Sequence, residues 1–319
     1  MKKISIPDTN LEAAPLGLGC VNAGLAWKGS DAAYLFDAFL DMGGSVYDTA
    51  RVYSDWIPGE AGRSEQVVGE WLNNSKKRNH IVLMSKGGHP DMTKPAPDMY
   101  KSRMSPEDMR HDLELSLKAL HTEWLDVYFY HRDNPDMAVE ELIETMECFV
   151  KEGKIRYYAC SNWSAERIKS ADDYSKKHQC RGFIANEVLY NLGTKNMKPP
   201  SDDSLQSMNE EMHRYHVSNP GNLAIPYTGI CGGFFSKLIE QGTEAVKDSP
   251  YYTKENVELA EVVRALALEY SVTPLQVVLG FFKTREFNCL PLYSPRNAEN
   301  LKEAFGAFDI PFTKEDYEV

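Results

Sequence analysis

Short apolar runs alternate with amphipathic helical patterns from one end of this chain to the other. Eight runs stand out: "PLGLGC", "GSVYD", "HIVLMSK", "LDVYFYH", "RYYACS", "GFIANE", "LAIPY" and "FNCLPL". Strands buried on both faces, as in parallel sheets, read as near-continuous apolar stretches rather than as alternating ones. Between them, Tyr34, Leu35, Ala38, Phe39 and Met42 form one stripe, and Val139, Leu142, Ile143, Met146 and Val150 form another. Helix starts are marked at Ser105, where Pro106 and Asp108 follow a serine cap, and at Thr273, where "TPLQ" reads as a capping box. Eight strands in alternation with helices predict a closed parallel (β/α)₈ TIM barrel, with residues 1–319 as a single domain. An open doubly wound sheet is the competing architecture. It usually carries a G-x-G-x-x-G turn after its first strand, and "GLGCVNAG" at Gly17–Gly24 has the wrong spacing.

Composition narrows the partners. The chain of 319 residues carries a net charge of −12, which repels phosphate backbones and argues against nucleic acid. No apolar run approaches the ~20 residues that span a bilayer, so no membrane partner is expected. The N-terminal "MKKISIPDTNLEAAPLG" lacks the apolar core of a signal peptide. Six dispersed cysteines without a C-x-x-C pair fit reduced thiols, and a cytoplasmic location is expected. Residues 88–104 and 191–222 read as long polar connections, each a candidate cover for a substrate site.

In a parallel barrel all C-terminal strand ends lie on one face, where barrel enzymes keep their chemistry. Three consecutive strand candidates end in Asp48, Lys86 and His131, and Tyr53 follows Asp48 by five positions. Each residue alone has an ordinary reading, as a turn cap, a solvated strand end, a core imidazole or a packing aromatic. Together they place a carboxylate, an ammonium, an imidazole and a phenol at one mouth. A carboxylate beside a buried lysine keeps it charged, and an ammonium beside a phenol favours the phenolate. The phenol then suits protonation of an oxygen that gains negative charge, and the imidazole can fix that oxygen by a second hydrogen bond. This set suits carbonyl reduction but supplies no hydride, so a nicotinamide cofactor is expected. A metal-dependent hydrolase using His89, His131 and Asp48 is a weaker reading, since no H-x-H or comparable ligand spacing accompanies them.

Beyond these residues the chain resembles the aldo-keto reductases. "DTARVY" matches the family's D-T-A-x-x-Y segment, and "GRSEQVVGEWL" and "EGKIRYYACSNWS" resemble two later blocks. "ANEVLYN", "AIPYTGICGG" and "LYSPRNAENLKEAF" follow in family order, so the likeness runs from about Leu16 to Phe305. The resemblance implies a barrel that binds NADP(H) without a Rossmann domain, with Asp48, Tyr53, Lys86 and His131 as catalytic tetrad. It also implies that Ser161 and Asn162 bond the nicotinamide carboxamide, that Tyr227 stacks on its ring, and that backbone at Cys20 and Val21 lines the cleft. Thr228, Gly229, Ile230 and Gly232 match a loop around the pyrophosphate.

The chain departs from the family in three places. Glu187 stands where glutamine is common, and it is compatible with bonding the carboxamide, with holding a proton or with pointing elsewhere. Ser294, Arg296 and Asn300 replace a more basic 2′-phosphate grip, leaving Arg296 as the cation for that phosphate and NAD(H) open as an alternative. The family's long C-terminal tail is short here, so substrate choice is expected to fall to the loops. A small carbonyl or alcohol is the expected substrate, and Trp27, Trp56 and Trp163, each just after a strand end, are candidates to line its pocket. "HRDNP" adds Arg132, Asp133 and Asn134, compatible with a sugar-derived compound. Some members of the family sense bound nicotinamide instead of turning substrate over, which is the alternative function.

Overall fold

The computed structural model describes residues 3–318. Two short antiparallel strands, β1 (Ile4–Ser5) and β2 (Glu12–Ala13), come first. Eight parallel strands then follow: β3 (Gly17–Gly19), β4 (Val46–Asp48), β5 (Val82–Gly87), β6 (Leu125–Tyr130), β7 (Ile155–Ser161), β8 (Ala185–Leu189), β9 (Leu223–Tyr227) and β10 (Leu292–Tyr293). They pair in the order β10-β3-β4-β5-β6-β7-β8-β9. Hydrogen bonds from Ala224 N to Asn288 O (3.1 Å) and from Leu290 N to Ala224 O (2.9 Å) join β9 to the segment leading into β10. The ring thereby closes into the expected barrel, and each of the eight apolar runs contributes one strand to it.

Helices separate the strands: α1 (Gly29–Asp41), α2 (Arg63–Ser75), α3 (Pro106–Ala119), α4 (Val139–Lys151), α5 (Ala165–His178), α6 (Glu210–Ser218), α7 (Phe234–Gln241), α8 (Lys254–Glu269), α9 (Pro274–Lys283) and α10 (Ala298–Gly306). The start signals act as expected. Ser105 accepts from Asp108 N at 3.1 Å, and Thr273 and Gln276 form the reciprocal capping box. One stripe is corrected. Tyr34 is 68% exposed, and Phe36 takes its place against the barrel beside Ala32, Leu35 and Phe39. Among the described residues, no single helix is long and apolar enough to cross a membrane.

Two apolar cores result. The larger lies between strands and helices. The smaller fills the barrel and combines Val46, Val82, Val127 and Leu223 with Ile6, Leu11 and Ala13 from the β1–β2 hairpin. These strand residues sit at or near strand starts, so the hairpin floors the barrel at the end opposite the C-terminal mouth. Asn10 fastens it, donating its backbone N–H to the Tyr157 hydroxyl and accepting from Arg156 Nη2 through its side chain.

Candidate active site

Strand ends β4, β5 and β6 deliver Asp48, Lys86 and, one residue past β6, His131 to the open mouth. Lys86 is fully buried. Its Nζ donates to Asp48 Oδ1 and Oδ2 at 2.7 and 2.6 Å, to Thr49 O at 3.0 Å and to the Tyr53 hydroxyl at 3.1 Å. Glu187 Oε2 lies 3.3 Å from the same nitrogen. Burial acts to neutralise the lysine, but the charges of Asp48 and Glu187 and the Tyr53 phenol outweigh it and hold Lys86 as an ammonium, its pKa well above the ordinary value.

Tyr53 behaves differently from the sequence expectation. Burial raises its phenol pKa, Lys86 pulls it down, and Asp48 and Glu187 add to the rise, so the net direction is upward. The phenol therefore keeps its proton at neutral pH. Its oxygen accepts from Lys86, which leaves its own O–H free to donate elsewhere.

The Tyr53 and His131 rings meet edge to face at 5.7 Å, and the His131 and His89 rings at 4.8 Å. Burial, His89, Lys86 and Arg132 together hold His131 well below its ordinary pKa, so the imidazole is neutral. His89 is lowered to about 4, chiefly by burial and then by Arg132. Its Nδ1 lies 3.0 Å from Pro90 O. His131 Nδ1 is buried without a hydrogen-bond partner. Among the described residues, no group of three or more His, Cys, Asp or Glu side chains is placed to hold a metal ion.

Asp48, Tyr53 and His131 line a cleft of about 420 Å³ together with Val21, Ser161, Asn162, Glu187, Tyr227, Thr228, Gly229, Ile230, Gly232 and Ser294. Within it, Asn162 Oδ1 accepts from the Tyr227 hydroxyl at 2.7 Å and from Gln206 N at 3.2 Å, and Asn162 Nδ2 donates to Ser161 Oγ at 3.0 Å. Asn162, Thr228 and Cys231 adopt positive φ of 60°, 56° and 55°. Non-glycine residues pay for that conformation and concentrate at functional sites. Gly232, at φ 61°, has open space where a side chain would stand.

Several expectations are corrected. Of the segment at Cys20 and Val21, Val21 lines the cleft together with Gly19, whereas Cys20 belongs to the outer core. None of the three tryptophans lines it. Trp163 is fully buried and donates to Arg132 O at 3.1 Å. Trp27 is buried against Phe36 and donates to Pro295 O at 3.0 Å. Trp56 is 44% exposed. Strand-end position brought all three close, but their rings follow the outer wall or solvent. Arg296 is exposed and Asn300 serves the start of α10, where its N–H donates to Asn297 Oδ1, so neither lines the cleft. Asp133 and Asn134 are taken by Arg167, to which they offer a carboxylate at 3.2 Å and a carbonyl at 3.0 Å.

The connection 191–222 is not all loop. It contains α6, and its Leu205 reaches the cleft. Nothing from 88–104 lines the cleft. Arg132, noted in the sequence only as polar, proves to be a cleft residue, as do Leu292 and Tyr293 of β10.

The chain is 25% identical to an aryl-alcohol dehydrogenase of Pestalotiopsis microspora, covering 98% of this chain and 79% of that one. It is equally similar to norsolorinic acid reductase B of Dothistroma septosporum, at 25% over 98% of this chain and 78% of the relative. An aldo-keto reductase of Schizosaccharomyces pombe, yakc [NADP(+)], is 24% identical over 92% of this chain and 84% of its own length. A sequence profile described as "Aldo/keto reductase family" matches residues 15–319, nearly the whole chain, and this protein therefore belongs to the aldo/keto reductase family.

Proposed function

We propose that the protein is an NADP(H)-dependent oxidoreductase that reduces an aldehyde or ketone to an alcohol, with Tyr53 as the proton donor. The observation that carries this reading is the direction of one hydrogen bond. Lys86 donates to the Tyr53 oxygen, so the phenol proton points away from the lysine and is available to a substrate oxygen. As that proton leaves, the ammonium at 3.1 Å meets the charge that develops on the phenolate. Asp48 keeps the ammonium charged and in position through two short hydrogen bonds. The neutral His131 imidazole offers a ring nitrogen to hold the substrate oxygen without adding a second positive charge beside Lys86.

The cleft fits a nicotinamide nucleotide. It presents an aromatic ring at Tyr227, amide and hydroxyl groups at Ser161 and Asn162, and a small-residue turn from Thr228 to Gly232 whose bare backbone can approach phosphate oxygens. Glu187 Oε2, buried and without a hydrogen-bond partner, offers a further polar group for the carboxamide. When bound, the reduced nicotinamide supplies the hydride. Ser294 lines the cleft, and the exposed Arg296, two positions further along the chain and outside the lining, is our candidate cation for a 2′-phosphate.

The test is Tyr53→Phe. NADPH should still quench the protein's tryptophan fluorescence, while reduction of a generic aldehyde falls by two or more orders of magnitude, in the range general acids contribute. Full turnover by this variant would remove Tyr53 as the acid.

A further inference from the structure

The cleft contains one cation that the chemistry above does not use. Arg132 directly follows His131, lines the same cleft and is only 8% exposed. A guanidinium carries five N–H groups and cannot shed its charge. Two of them have partners here: Nη1 donates to His131 O at 3.2 Å and Nη2 to Asp202 Oδ2 at 3.1 Å. Nε is buried and has none. Buried donors left unpaired are costly, so the group holds donor capacity that no described residue satisfies.

Its acidic partner does not belong to the barrel. Asp202 sits on the connection between β8 and α6, and its other oxygen accepts the Ser204 N–H at 3.0 Å and hydroxyl at 2.5 Å. The same connection is anchored further along, where Leu189 N donates to Gln206 O at 3.1 Å and Leu205 faces the cleft. Asp48 and Glu187, the carboxylates that line the cleft, lie 2.6 and 3.3 Å from Lys86 Nζ. Arg132 is thus met by one loop carboxylate that is partly open to solvent, while Arg132 itself borders the cleft in which a substrate would sit.

We propose that Arg132 determines substrate specificity by selecting carbonyl compounds that carry a carboxylate, with Asp202 standing where that carboxylate binds. A guanidinium fork matches a carboxylate in two parallel hydrogen bonds, which a neutral hydroxyl or ester cannot supply. The inference rests on the reductase reading above and deepens it by naming a substrate class.

The probe is a matched pair, 4-carboxybenzaldehyde and its methyl ester. Each is measured by calorimetric binding to the NADPH-loaded protein and by turnover. The acid should be favoured over the ester by about tenfold or more in Kd and in kcat/KM, as expected for a charge-assisted hydrogen bond. Arg132→Met should bring that ratio close to one, and Arg132→Lys should restore part of it. Asp202→Asn, which removes the competing carboxylate, should tighten the acid and leave the ester where it was. Equal binding of acid and ester by the natural protein would overturn the proposal, as would no binding of the acid or a ratio that survives Arg132→Met. If the acid is preferred in binding but neither compound is reduced, the reductase reading fails while the role of Arg132 stands.

Discussion

Glu187 Oε2 lies 3.3 Å from Lys86 Nζ, the same nitrogen from which both oxygens of Asp48 accept. One ammonium therefore serves two buried acids. Burial, reinforced by the Asp48 charge and opposed by Lys86, raises Glu187 from 4.5 to about 8. Its carboxyl keeps its proton to higher pH than an exposed glutamate does, and while protonated it both donates and accepts, as the amide common at this position in the family does.

This has a consequence for stability. The unfolded chain releases the Glu187 proton near 4.5 and the folded one near 8, so rising pH between those values favours unfolding. The contribution is fully present below the unfolded value and lost as pH climbs through the folded one. Glu187→Gln cannot titrate. Its melting temperature relative to the natural protein should rise from pH 5 to pH 8 and then level off. A gap that stays constant across that range would show that Glu187 holds no extra proton.

Lys86→Met leaves two buried carboxyls without their cation and should cost about 3–5 kcal/mol by urea denaturation. Asp48→Asn should cost less, because Glu187 remains 3.3 Å from the ammonium. The reverse order would mean that Glu187 does not pair with Lys86.

Trp163 and Trp56 separate wall from surface. Trp163 is fully buried among Tyr130, Phe183 and the Arg167 guanidinium. Trp163→Ala should cost about 3–5 kcal/mol, whereas Trp56→Ala should stay within about 0.5 kcal/mol. Aldehyde KM measured for Trp163→Phe and Trp56→Ala should match the natural protein, and a selective change for one aldehyde would return that tryptophan to the cleft.

Arg296 forms no ion pair among the described residues and is exposed beside the Ser294 end of the cleft. Arg296→Ala should weaken NADPH about tenfold while leaving NADH unchanged. Equal weakening of both would place Arg296 away from the 2′-phosphate.

The barrel was legible because parallel strands buried on both faces leave unbroken apolar runs, and because polar residues that end such runs share a face once the ring closes. Asp48, Lys86 and His131 could be placed together on that logic alone. The β1–β2 hairpin was not legible, since strands of two residues leave no period to detect. Helix α6 lay hidden in a polar, proline-containing connection, where only nine residues are helical and its Asn209 cap is one asparagine among several. Tyr34 failed because one position on a helix turns the side chain by about 100°, which separates Leu35 and Phe36 from it. The tryptophans failed for a related reason: strand-end position fixes where a loop starts, not which way its rings turn. The sign of the Tyr53 shift was out of reach, because it depends on how deeply a phenol is covered rather than on which charges neighbour it.

The hairpin under the barrel governs traffic. With Ile6, Leu11 and Ala13 stoppering one end, a molecule bound beside Tyr53 has no rear exit. Such a molecule is reached from the C-terminal mouth, the end that the hairpin leaves uncovered.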